Sequence, residues 1–586
     1  MMRRVLGCAG VLLFVAGGSA GILGAACGDS SAPAATPSPV PEAGTDAGAD
    51  SAPPGPVSVS ISPTTLSLLT CSTQTFAATV TGSMDTSVTW TVTPDGIGTV
   101  DTNGKYTAPS VVPQPPTAKV TATTLANQSK SASASVTLAT AFVGKGAAIA
   151  GSATTAELES RVGVYPHSFA ANGKRAYGVW TSNPANGSAV SMKIARSDDG
   201  GATWKPAVTA ISATLKSPLT TVDAWIECPA VTIDPQNPDI VYVVGKITAS
   251  NSLATSVNAD DQTTVLAVSK DGGATFTTRV MHVGGGDTCP DVSAPAANTI
   301  VVEAPAQQNC DGAPDMRLWS DAANGAGFAT GTLDASNHYI AAGLTNALIN
   351  VNKSPMCSGR IVIGQNGTTG NGGEATEAPR LFTNGKGALC ITYIGTLPTD
   401  GGTTTNAYVQ CSTDAGVSFS DPLNLDPDRV NGIDHSAAIG SFSPDGTSIA
   451  VLWVNSPNAN NQTALPYLAV SKDLGKTFTP PTLVPTYVAP GMNVPVPAVN
   501  PTIAFDASGV LWLAYRSNDG TPSDRLIVDK TCDLGKTWSG AVLVNGPEAA
   551  VPTNGMKWPA LITSSSAAPS VVASATAGLT VFTLAP

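Results

Sequence analysis

The chain is 586 residues long, with 41 acidic and 29 basic side chains and a formal net charge of −12. This length exceeds that of a usual single domain, so more than one domain is expected. The negative charge argues against nucleic acid as a partner. Only 12% of the residues are charged, while glycine (58) and proline (45) are abundant. With no long 3.6-residue apolar period, this composition favours many short strands joined by turns.

Residues 1–27 are typical of an export signal, in which Arg3 and Arg4 precede an apolar stretch and small residues lead to Ala26 and Cys27. Two outcomes are open. The signal is cut near Ala26, or the protein is a bacterial lipoprotein with Cys27 as its lipidated first residue. We expect the lipoprotein, anchored at the bacterial cell envelope or surface, with secretion as the alternative.

Residues 28–55 are rich in Ser, Ala, Pro and Gly, which predicts a disordered tether. Residues 56–140 alternate polar and apolar side chains in short runs separated by turns, which predicts a β-sandwich with Trp90 at its core. The strings Ile61-Ser62-Pro63 and Gly104-Lys105-Tyr106-Thr107-Ala108-Pro109 resemble the group 2 bacterial immunoglobulin-like domain. The resemblance implies a spacer or adhesion module on a bacterial surface.

A short pattern, Ser/Thr-x-Asp-x-Gly-x-Thr/Ser-Trp/Phe, recurs along residues 141–586. Five good copies and one worn copy are Ser197–Trp204, Ser269–Phe276, Ser412–Phe419, Ser471–Phe478, Thr531–Trp538 and Ser320–Phe328. The Asp carboxylate can accept backbone N–H bonds inside its own turn, and the Gly can adopt a positive φ, so each copy predicts a tight hairpin. The pattern resembles the Asp-box of the sialidase and related β-propeller families. That resemblance implies a structural role for Asp199, Asp271, Asp414, Asp473 and Asp533, with calcium binding as the alternative.

A second repeat, a pair of residues that opens a strand, recurs about every 60 residues and indicates units of four strands, as in propeller blades. The pairs are Tyr165-Pro166, Cys228-Pro229, Cys289-Pro290, Ala378-Pro379, Ser436-Ala437, Asn500-Pro501 and Trp558-Pro559. The last unit has room for about three strands, and the segment Ala141-Phe142-Val143 could supply its fourth. We therefore predict an all-β chain, with an immunoglobulin-like β-sandwich over 56–140 and a β-propeller over 141–586. Seven blades are favoured over six.

The cysteines of an exported chain are candidates for disulfides. Cys390 and Cys411 lie on successive predicted strands, and Cys289 and Cys310 flank another hairpin, so these are the preferred pairs. Cys71 has no partner cysteine inside 56–140. The sequence contains no C-x-x-C motif, and we expect no metal and no cofactor.

In a propeller, the first strands of all blades begin at one face, where they meet the ends of the second strands. Carboxylates, cations and aromatic rings converging there favour sugar binding, with a solvated polar rim as the alternative. The strand starts contribute Tyr165, His167, Asp223, Trp225, Glu227, Asp287, Asp291, Glu374, Glu377, Arg380, Asp434, His435, Asn500, Lys557 and Trp558. The second-strand ends contribute Trp180, Lys246, Glu303, Tyr515 and Arg516. The predicted binding residues are Trp225, Glu227, Asp287, Asp291, Asp434, His435, Lys557 and Trp558.

The resemblance to sialidases implies three arginines on the substrate carboxylate, a Tyr nucleophile activated by a Glu, and an Asp as acid or base. The catalytic candidates at the predicted face are Arg380, Arg516, Tyr515 and Glu377. The family's Arg-Ile-Pro motif is absent, because Val164-Tyr165-Pro166-His167 stands in its place. A third arginine stays unassigned.

We therefore expect a monomeric exported lipoprotein whose propeller binds a glycan or a cell-surface protein. Contact with the membrane is expected only through the lipid anchor. The alternatives are a sialidase-like exo-glycosidase acting on extracellular glycans and a structural envelope protein.

Overall fold

A computed structural model of the protein describes residues 55–139, 143–149, 167–182, 191–212, 224–250, 260–283, 289–306, 315–326, 332–333, 339–340, 348–349, 379–395, 406–427, 434–456, 464–488, 496–517, 523–544, 551–552, 559–563, 569–575 and 578–585. Within these ranges the chain is all-β and contains no helix. The predicted fold class is confirmed. Two groups of sheets follow one another along the chain, the first over 58–139 and the second over 143–585.

The N-terminal group has nine strands. They are β1 (Ser58–Ser62), β2 (Thr65–Leu69), β3 (Thr73–Thr75), β4 (Ala77–Thr81), β5 (Val88–Thr93), β6 (Thr99–Val100), β7 (Lys105–Thr107), β8 (Thr117–Thr124) and β9 (Ser131–Ala139). They form a four-stranded sheet in the order β2-β9-β8-β5, a three-stranded sheet β3-β7-β6 and the pair β1-β4. Burial alternates along β8 and β9, as expected where one face of a sheet covers a core.

The core of this N-terminal domain lies between its sheets. Phe76, Ile97 and Tyr106 are at most 1% exposed, and the Tyr106 hydroxyl donates to the Ile97 carbonyl at 2.5 Å. Trp90 is only partly buried, so its predicted place at the core centre was wrong. The reason is topological, because β5 is an edge strand of its sheet and its tryptophan packs on the margin of the core.

The second group contains seven four-stranded sheets, numbered here in chain order. It opens with β10 (Val143–Ala148). Sheet 1 contains β11 (Phe169–Asn172), β12 (Arg175–Ser182), β13 (Ser191–Ser197) and β14 (Val208–Ser212). Sheet 2 contains β15 (Ala224–Ile233), β16 (Val241–Ser250), β17 (Asp260–Ser269) and β18 (Thr277–Val283). Sheet 3 contains β19 (Asp291–Ala296), β20 (Thr299–Ala306), β21 (Asp315–Asp321) and β24 (Leu348–Ile349), with β22 (Thr332–Leu333) and β23 (Tyr339–Ile340) as a separate ribbon.

The remaining sheets repeat this order. Sheet 4 contains β25 (Arg380–Thr383), β26 (Leu389–Gly395), β27 (Asn406–Ser412) and β28 (Leu423–Asn424). Sheet 5 contains β29 (Asp434–Phe442), β30 (Ile449–Ser456), β31 (Leu465–Ser471) and β32 (Thr482–Leu483). Sheet 6 contains β33 (Ala498–Phe505), β34 (Leu511–Ser517), β36 (Leu526–Thr531) and β37 (Val542–Leu543), beside a ribbon of β35 (Ser523–Asp524) and β38 (Val551–Pro552). Sheet 7 contains β39 (Ala560–Ile562), β40 (Ser570–Ala575), β41 (Gly578–Ala585) and β10.

Sheet 7 joins the two ends of this region. β10 pairs antiparallel with β41, from Val143 opposite Ala585 to Ala148 opposite Thr580. The prediction that residues near Val143 supply the fourth strand of the last unit is therefore confirmed. The first strands contact one another in a closed cycle, from β11 through β15, β19, β25, β29, β33 and β39 back to β11. The sheets thus surround a common axis with their first strands innermost, which is a β-propeller.

Strands inside the propeller are covered on both faces by neighbouring sheets. In β30, every residue from Ile449 to Val454 is at most 2% exposed. A strand buried on both faces has an uninterrupted apolar sequence rather than an alternating one. The rings of Phe382 in sheet 4 and Phe442 in sheet 5 lie 5.5 Å apart, so apolar packing also links adjacent sheets.

The five good copies of the short pattern, called repeat turns below, each connect the third strand of a sheet to its fourth strand. In sheet 5, Ser471 Oγ donates to Asp473 Oδ1 at 2.8 Å and accepts from the Gly475 amide at 2.8 Å. Asp473 Oδ1 also accepts from the Thr477 amide at 2.9 Å. The other four turns make the same three bonds. These bonds close each turn on itself.

The repeat turns also dock on the preceding sheet. A Cβ atom added to Gly475 of sheet 5 would lie 2.3 Å from the Cys411 sulfur of sheet 4. One added to Gly535 of sheet 6 would lie 2.3 Å from Leu468 Cδ2 of sheet 5. Both glycines have positive φ, 84° and 86°. Each glycine is therefore required by its backbone and by the close approach of the neighbouring sheet.

The described residues contain three disulfides, Cys71–Cys532, Cys228–Cys289 and Cys390–Cys411. The predicted pair Cys390–Cys411 is confirmed. The predicted pair of Cys289 with Cys310 was wrong, because Cys289 bonds to Cys228 instead. Cys228 lies within β15 and Cys289 just before β19, the first strands of adjacent sheets, and their Cα atoms are 5.3 Å apart. Cys310 lies outside the described residues.

The third disulfide joins the N-terminal domain to the propeller. Cys71 follows β2, and Cys532 lies in the repeat turn of sheet 6. Beside it, the buried Lys530 ammonium donates to the Thr70 carbonyl at 2.8 Å. Ser110 Oγ and Thr537 Oγ1 form a further hydrogen bond across the junction. The N-terminal domain is therefore attached to sheet 6 by a covalent bond and by polar contacts.

Candidate functional site

Four polar residues meet at the mouth end of the propeller, the end at which the first strands begin and which lies opposite the repeat turns. His167 precedes β11, Asp291 begins β19, and Arg380 begins β25. Glu303 lies on β20 directly opposite Asp291. We name these four residues the mouth cluster. Asp291 of sheet 3 reaches His167 of sheet 1 past sheet 2, so the cluster lies near the central axis.

Asp291 is the centre of the mouth cluster and is 0% exposed. Its Oδ2 lies 2.7 Å from His167 Nδ1 and accepts from the Leu381 amide at 2.8 Å. Its Oδ1 accepts from the Val292 amide at 2.9 Å. A carboxylate only accepts hydrogen bonds, so the His167 proton facing it sits on Nδ1. Asp291 thereby connects sheets 1, 3 and 4 and orients the imidazole.

Glu303 differs sharply from its neighbour Asp291. It is 0% exposed, and neither of its carboxyl oxygens has a hydrogen-bond partner in the described part of the chain. Burial raises the pKa of Glu303 well above its ordinary value, the charge of Asp291 raises it further, and the charge of Arg380 opposes both. Burial thus favours the protonated form of Glu303, and a protonated carboxyl can donate a hydrogen bond or a proton.

Two cations are buried at the same end. Arg380 is 6% exposed, and Lys246 on β16 of sheet 2 is 3% exposed. Lys246 lies opposite Glu227 in the β15–β16 pairing. Buried cations next to acceptors are typical of sites that bind carboxylates or hydroxyl groups. The cluster can therefore offer both donors and acceptors to a polar ligand.

A bulge shapes the start of several first strands. The pairing of β15 with β16 shifts between Glu227 and Ala230, and similar shifts occur in sheets 5 and 6. Cys228 in this bulge has a φ of 58°, and Asn500 at the matching position of sheet 6 has a φ of 52°. Bulges re-aim side chains next to functional sites. In sheets 2, 5 and 6 the sequence pairs Cys228-Pro229, Ser436-Ala437 and Asn500-Pro501 lie in these bulges.

The structure places the predicted binding residues as follows. Besides Asp291, the backbones of Trp225, Glu227, Asp434 and His435 lie at the mouth end, in the first halves of β15 and β29. Five of the predicted binding, catalytic and lipidation residues lie outside the described ones: Asp287, Lys557, Trp558, Glu377 and Cys27, the last of which is the predicted lipidation site. All of these binding assignments, including that of Asp291, stay predictions.

Of the three catalytic candidates that the structure describes, Arg380 alone lies in the mouth cluster. Tyr515 is 0% exposed and belongs to the apolar core between sheets 5 and 6. Its hydroxyl accepts from the Tyr487 amide at 2.7 Å, and burial raises its pKa above the usual range. These contacts are those of a core residue and speak against a nucleophile. Arg516 is partly buried at the end of β34, opposite Val499, and its catalytic role stays a prediction.

The repeat-turn aspartates lie at the other end of the sheets and are occupied by their own turns. Hydrogen bonds from Thr275 and Ser269 lower the pKa of Asp271 to about 2. The pKa of Asp414 is also lowered, by bonds from Ser418 and Ser412 that outweigh the effect of burial. Carboxylates bound in this way are suited to holding a turn rather than to transferring a proton.

Sequence reasoning placed His167, Lys246 and Glu303 at the ligand face but did not select them as binding residues. Their signal is weak, because one polar residue in an apolar strand also fits a solvated rim. A sharper signal was available in Glu303, a carboxylate that directly follows the apolar run Ile300-Val301-Val302 on a second strand. Among the described residues, no group of three or more His, Cys, Asp or Glu side chains could hold a metal ion.

No protein-family model matches the sequence, and no curated protein sequence matches it. Solved structures similar to the chain include the Hadza microbial sialidase Hz136, at 13% identity over 79% of this chain and 72% of that chain, with a TM-score of 0.38. The α-L-arabinofuranosidase Arb93A from Fusarium graminearum is 14% identical over 76% of this chain and 99% of that chain, with a TM-score of 0.39. Trypanosoma rangeli sialidase is 10% identical over 72% of this chain and 54% of that chain, with a TM-score of 0.34. At such identities and TM-scores, the similarity does not identify a ligand or a reaction for this chain.

The three disulfides indicate an exported protein, because disulfides persist in oxidising compartments. In the described part of the chain, no helix has the length and apolar character needed to cross a membrane.

Proposed function

We propose that this exported protein recognises a glycan and that the glycan binds at the mouth cluster. The observation that carries the proposal is the convergence of four polar side chains from three sheets near the axis, where Asp291, Glu303 and Arg380 are buried and His167 is partly exposed. Burying polar groups costs free energy unless they are paired, and Glu303 has no hydrogen-bond partner among the described residues. Perturbed titratable groups in such a position mark candidate functional sites.

The ligand class follows from the groups present. A neutral carboxyl, a guanidinium and an oriented imidazole offer several donors and acceptors within one small region. Sugars carry many hydroxyl groups, and some carry carboxylates, so they match this mixture better than an apolar ligand does.

We also infer the organisation that the sequence predicts around this site. The seven sheets are seven blades, residues 56–140 are an immunoglobulin-like domain, and Cys27 is a lipid anchor at the end of a tether over 28–55. The closed cycle of first strands favours seven blades over six. The junction at Cys71–Cys532 supports a fixed orientation of the N-terminal domain on the propeller.

A second candidate function is glycoside hydrolysis. It is favoured by the Asp291 and Glu303 pair, two carboxyl groups on the same sheet face whose surroundings differ. Glu303 would protonate the leaving oxygen as the glycosidic bond breaks, and Asp291 would accept a proton from the water whose oxygen forms the new bond to the anomeric carbon. Tyr515 has no part in this scheme.

Glycan-array binding by the purified full-length protein tests the proposal, with Arg380→Ala as the site variant. Arg196→Ala is the control, because Arg196 pairs with Asp198 at the repeat-turn end. We expect Arg380→Ala to lose at least tenfold in affinity and the control to bind as the wild type does. Unchanged binding by Arg380→Ala would place the ligand elsewhere. An array without any bound glycan would reject glycan recognition and favour a protein partner or a structural role.

Glu303→Gln separates binding from catalysis. Glutamine resembles the neutral acid in shape and hydrogen bonding but cannot release a proton, so affinity should change little while any turnover falls by about 10²–10⁴-fold. A fluorogenic sialoside and a fluorogenic arabinofuranoside are suitable substrates. Equal turnover by wild type and Glu303→Gln would exclude Glu303 as the proton donor.

A further inference from the structure

One disulfide lies beside the mouth cluster. Cys228 and Cys289 occupy the same position of the strand-opening pair in sheets 2 and 3, each followed by a proline. The other five units have Tyr165, Ala378, Ser436, Asn500 and Trp558 at this position. A covalent link between equivalent strand starts therefore exists only between sheets 2 and 3, next to the buried charged groups.

The disulfide completes a ring of contacts through three sheets. The Val231 amide of sheet 2 donates to the His167 carbonyl of sheet 1 at 2.8 Å. Cys228, three residues before Val231, is bonded to Cys289 of sheet 3. Asp291 follows Cys289 by two residues. Its Oδ2 lies 2.7 Å from His167 Nδ1, which closes the ring of contacts.

The backbone at Cys228 needs such support. Its φ of 58° lies in the left-handed region, which is unfavourable for a residue other than glycine, asparagine or aspartate. Residues held in this conformation persist where the surrounding structure determines them. Here the disulfide holds the bulged part of β15 in place relative to Asp291.

We propose that the Cys228–Cys289 disulfide is a positioning element of the mouth cluster. It holds the bulge of β15 and the start of β19 at the separation that lets Asp291 bind His167 and the Leu381 amide together. The inference deepens the proposed function, on which its consequence for ligand binding rests. Without the disulfide, sheets 2 and 3 can separate at the mouth and the orientation of the imidazole is lost.

The variant Cys228→Asn/Cys289→Ala tests the inference. Asparagine tolerates the left-handed backbone, as Asn500 does at the matching position, so the fold is retained while the bond is removed. The matched control is Cys71→Ser/Cys532→Ser, which removes a disulfide at the repeat-turn end. The first measurement needs no ligand and is amide hydrogen exchange at Val231 and Leu381.

We expect at least tenfold faster exchange of both amides in Cys228→Asn/Cys289→Ala and wild-type exchange in the control. Wild-type exchange in both variants would overturn the positioning role. Equal acceleration in the control would also overturn it, because the effect would then be a general loss of stability.

The second measurement is affinity for the glycan that the wild type binds on the array. We expect at least a tenfold loss in Cys228→Asn/Cys289→Ala and no loss in the control. If the wild type binds no glycan but exchange accelerates as expected, the proposed function fails and the positioning role stands. If the wild type binds and the variant binds equally well, the positioning role fails and the proposed function stands.

Discussion

The two ends of the propeller sheets use carboxylates in opposite ways. At the repeat-turn end, five aspartates make the same bonds within four residues of themselves, and these bonds are complete. At the mouth end, Asp291 and Glu303 are buried among the sheets. Asp291 is paired with His167 and two backbone amides, whereas Glu303 has no hydrogen-bond partner among the described residues. The carboxylates that repeat from sheet to sheet therefore lie at the structural end of the propeller, and those that occur in one sheet alone lie at the end suited to a ligand.

Removing one carboxylate at each end should show the largest difference. Asp291→Ala breaks a buried pair with His167 and leaves the Leu381 amide unsatisfied, so we expect the free energy of unfolding to fall by about 3–5 kcal/mol. Asp414→Ala removes bonds within an exposed turn and should cost about 1 kcal/mol. Denaturant titrations of both variants provide the measurement. Equal losses would remove the energetic distinction between the two ends.

The docking of the repeat turns can be tested at two glycines of like φ. Gly475 and Gly509 have φ values of 84° and 86°, but an added Cβ at Gly509 meets nothing within 4 Å. Gly509→Ala should therefore cost only the backbone strain of about 1–2 kcal/mol. Gly475→Ala adds a clash with the Cys411 sulfur and should cost about 1–3 kcal/mol more. Thermal unfolding compares them, and an equal cost would mean that the turn does not bear on the preceding sheet.

The two ends should also respond oppositely to pH. The pKa of Glu303 is raised above 4.5, so the folded state binds its proton more tightly and stability falls as pH rises from 4.5 through the folded pKa. The pKa of Asp271 is lowered from 3.8 to about 2, so its contribution is present above pH 3.8 and is lost as pH falls through about 2. The free energy of unfolding, measured against pH, should no longer fall above pH 4.5 because of this group in Glu303→Gln. In Asp271→Asn it should lose the part of its fall below pH 3.8 that Asp271 causes. Unchanged slopes in Glu303→Gln would mean that this residue is ionised in the folded protein.

The smallest effect is expected at the residue that directly precedes the pattern's glycine in a repeat turn. Ala415 has a φ of 60°, and two of the five turns have glycine at this position, Gly200 and Gly272. Ala415→Gly relieves the left-handed strain at some cost in chain entropy, so we expect a gain of roughly 0.5–1 kcal/mol. The β-branched control Ala415→Val should lose stability instead. A loss in Ala415→Gly, measured by thermal unfolding, would show that this backbone is not strained.

Much of the fold could be predicted because its signals are local or regularly repeated. The repeat turn is visible because Ser471, Asp473, Gly475 and Thr477 contact one another within seven residues of chain. The closing strand could be placed near Val143 because the last unit was short of one strand. The sequence did not predict that the residue before the pattern's glycine also has a positive φ, because alanine or leucine occupies that position in three copies.

The site could be predicted only as a face. Strand starts identify which residues converge at the mouth, but they do not rank Asp291 above Asp434 or Tyr515 below Arg380. Tyr515 illustrates the difficulty, because its place in an apolar strand fits a mouth residue and a core residue equally well. Its ring orientation depends on sheet 5, which the local sequence does not describe.

The sequence by itself determined the all-β class, the repeated turns and the end of the sheets at which polar residues collect, because these depend on neighbours a few residues apart. The disulfide of Cys289 with Cys228, 61 residues away, and the contact of Asp291 with His167 across 124 residues follow from the tertiary structure alone. It also decided that Glu303 is buried beside Asp291, which raises the pKa of Glu303. Burial and long-range pairing depend on how the sheets close around the axis, and that closure is a property of the whole ring.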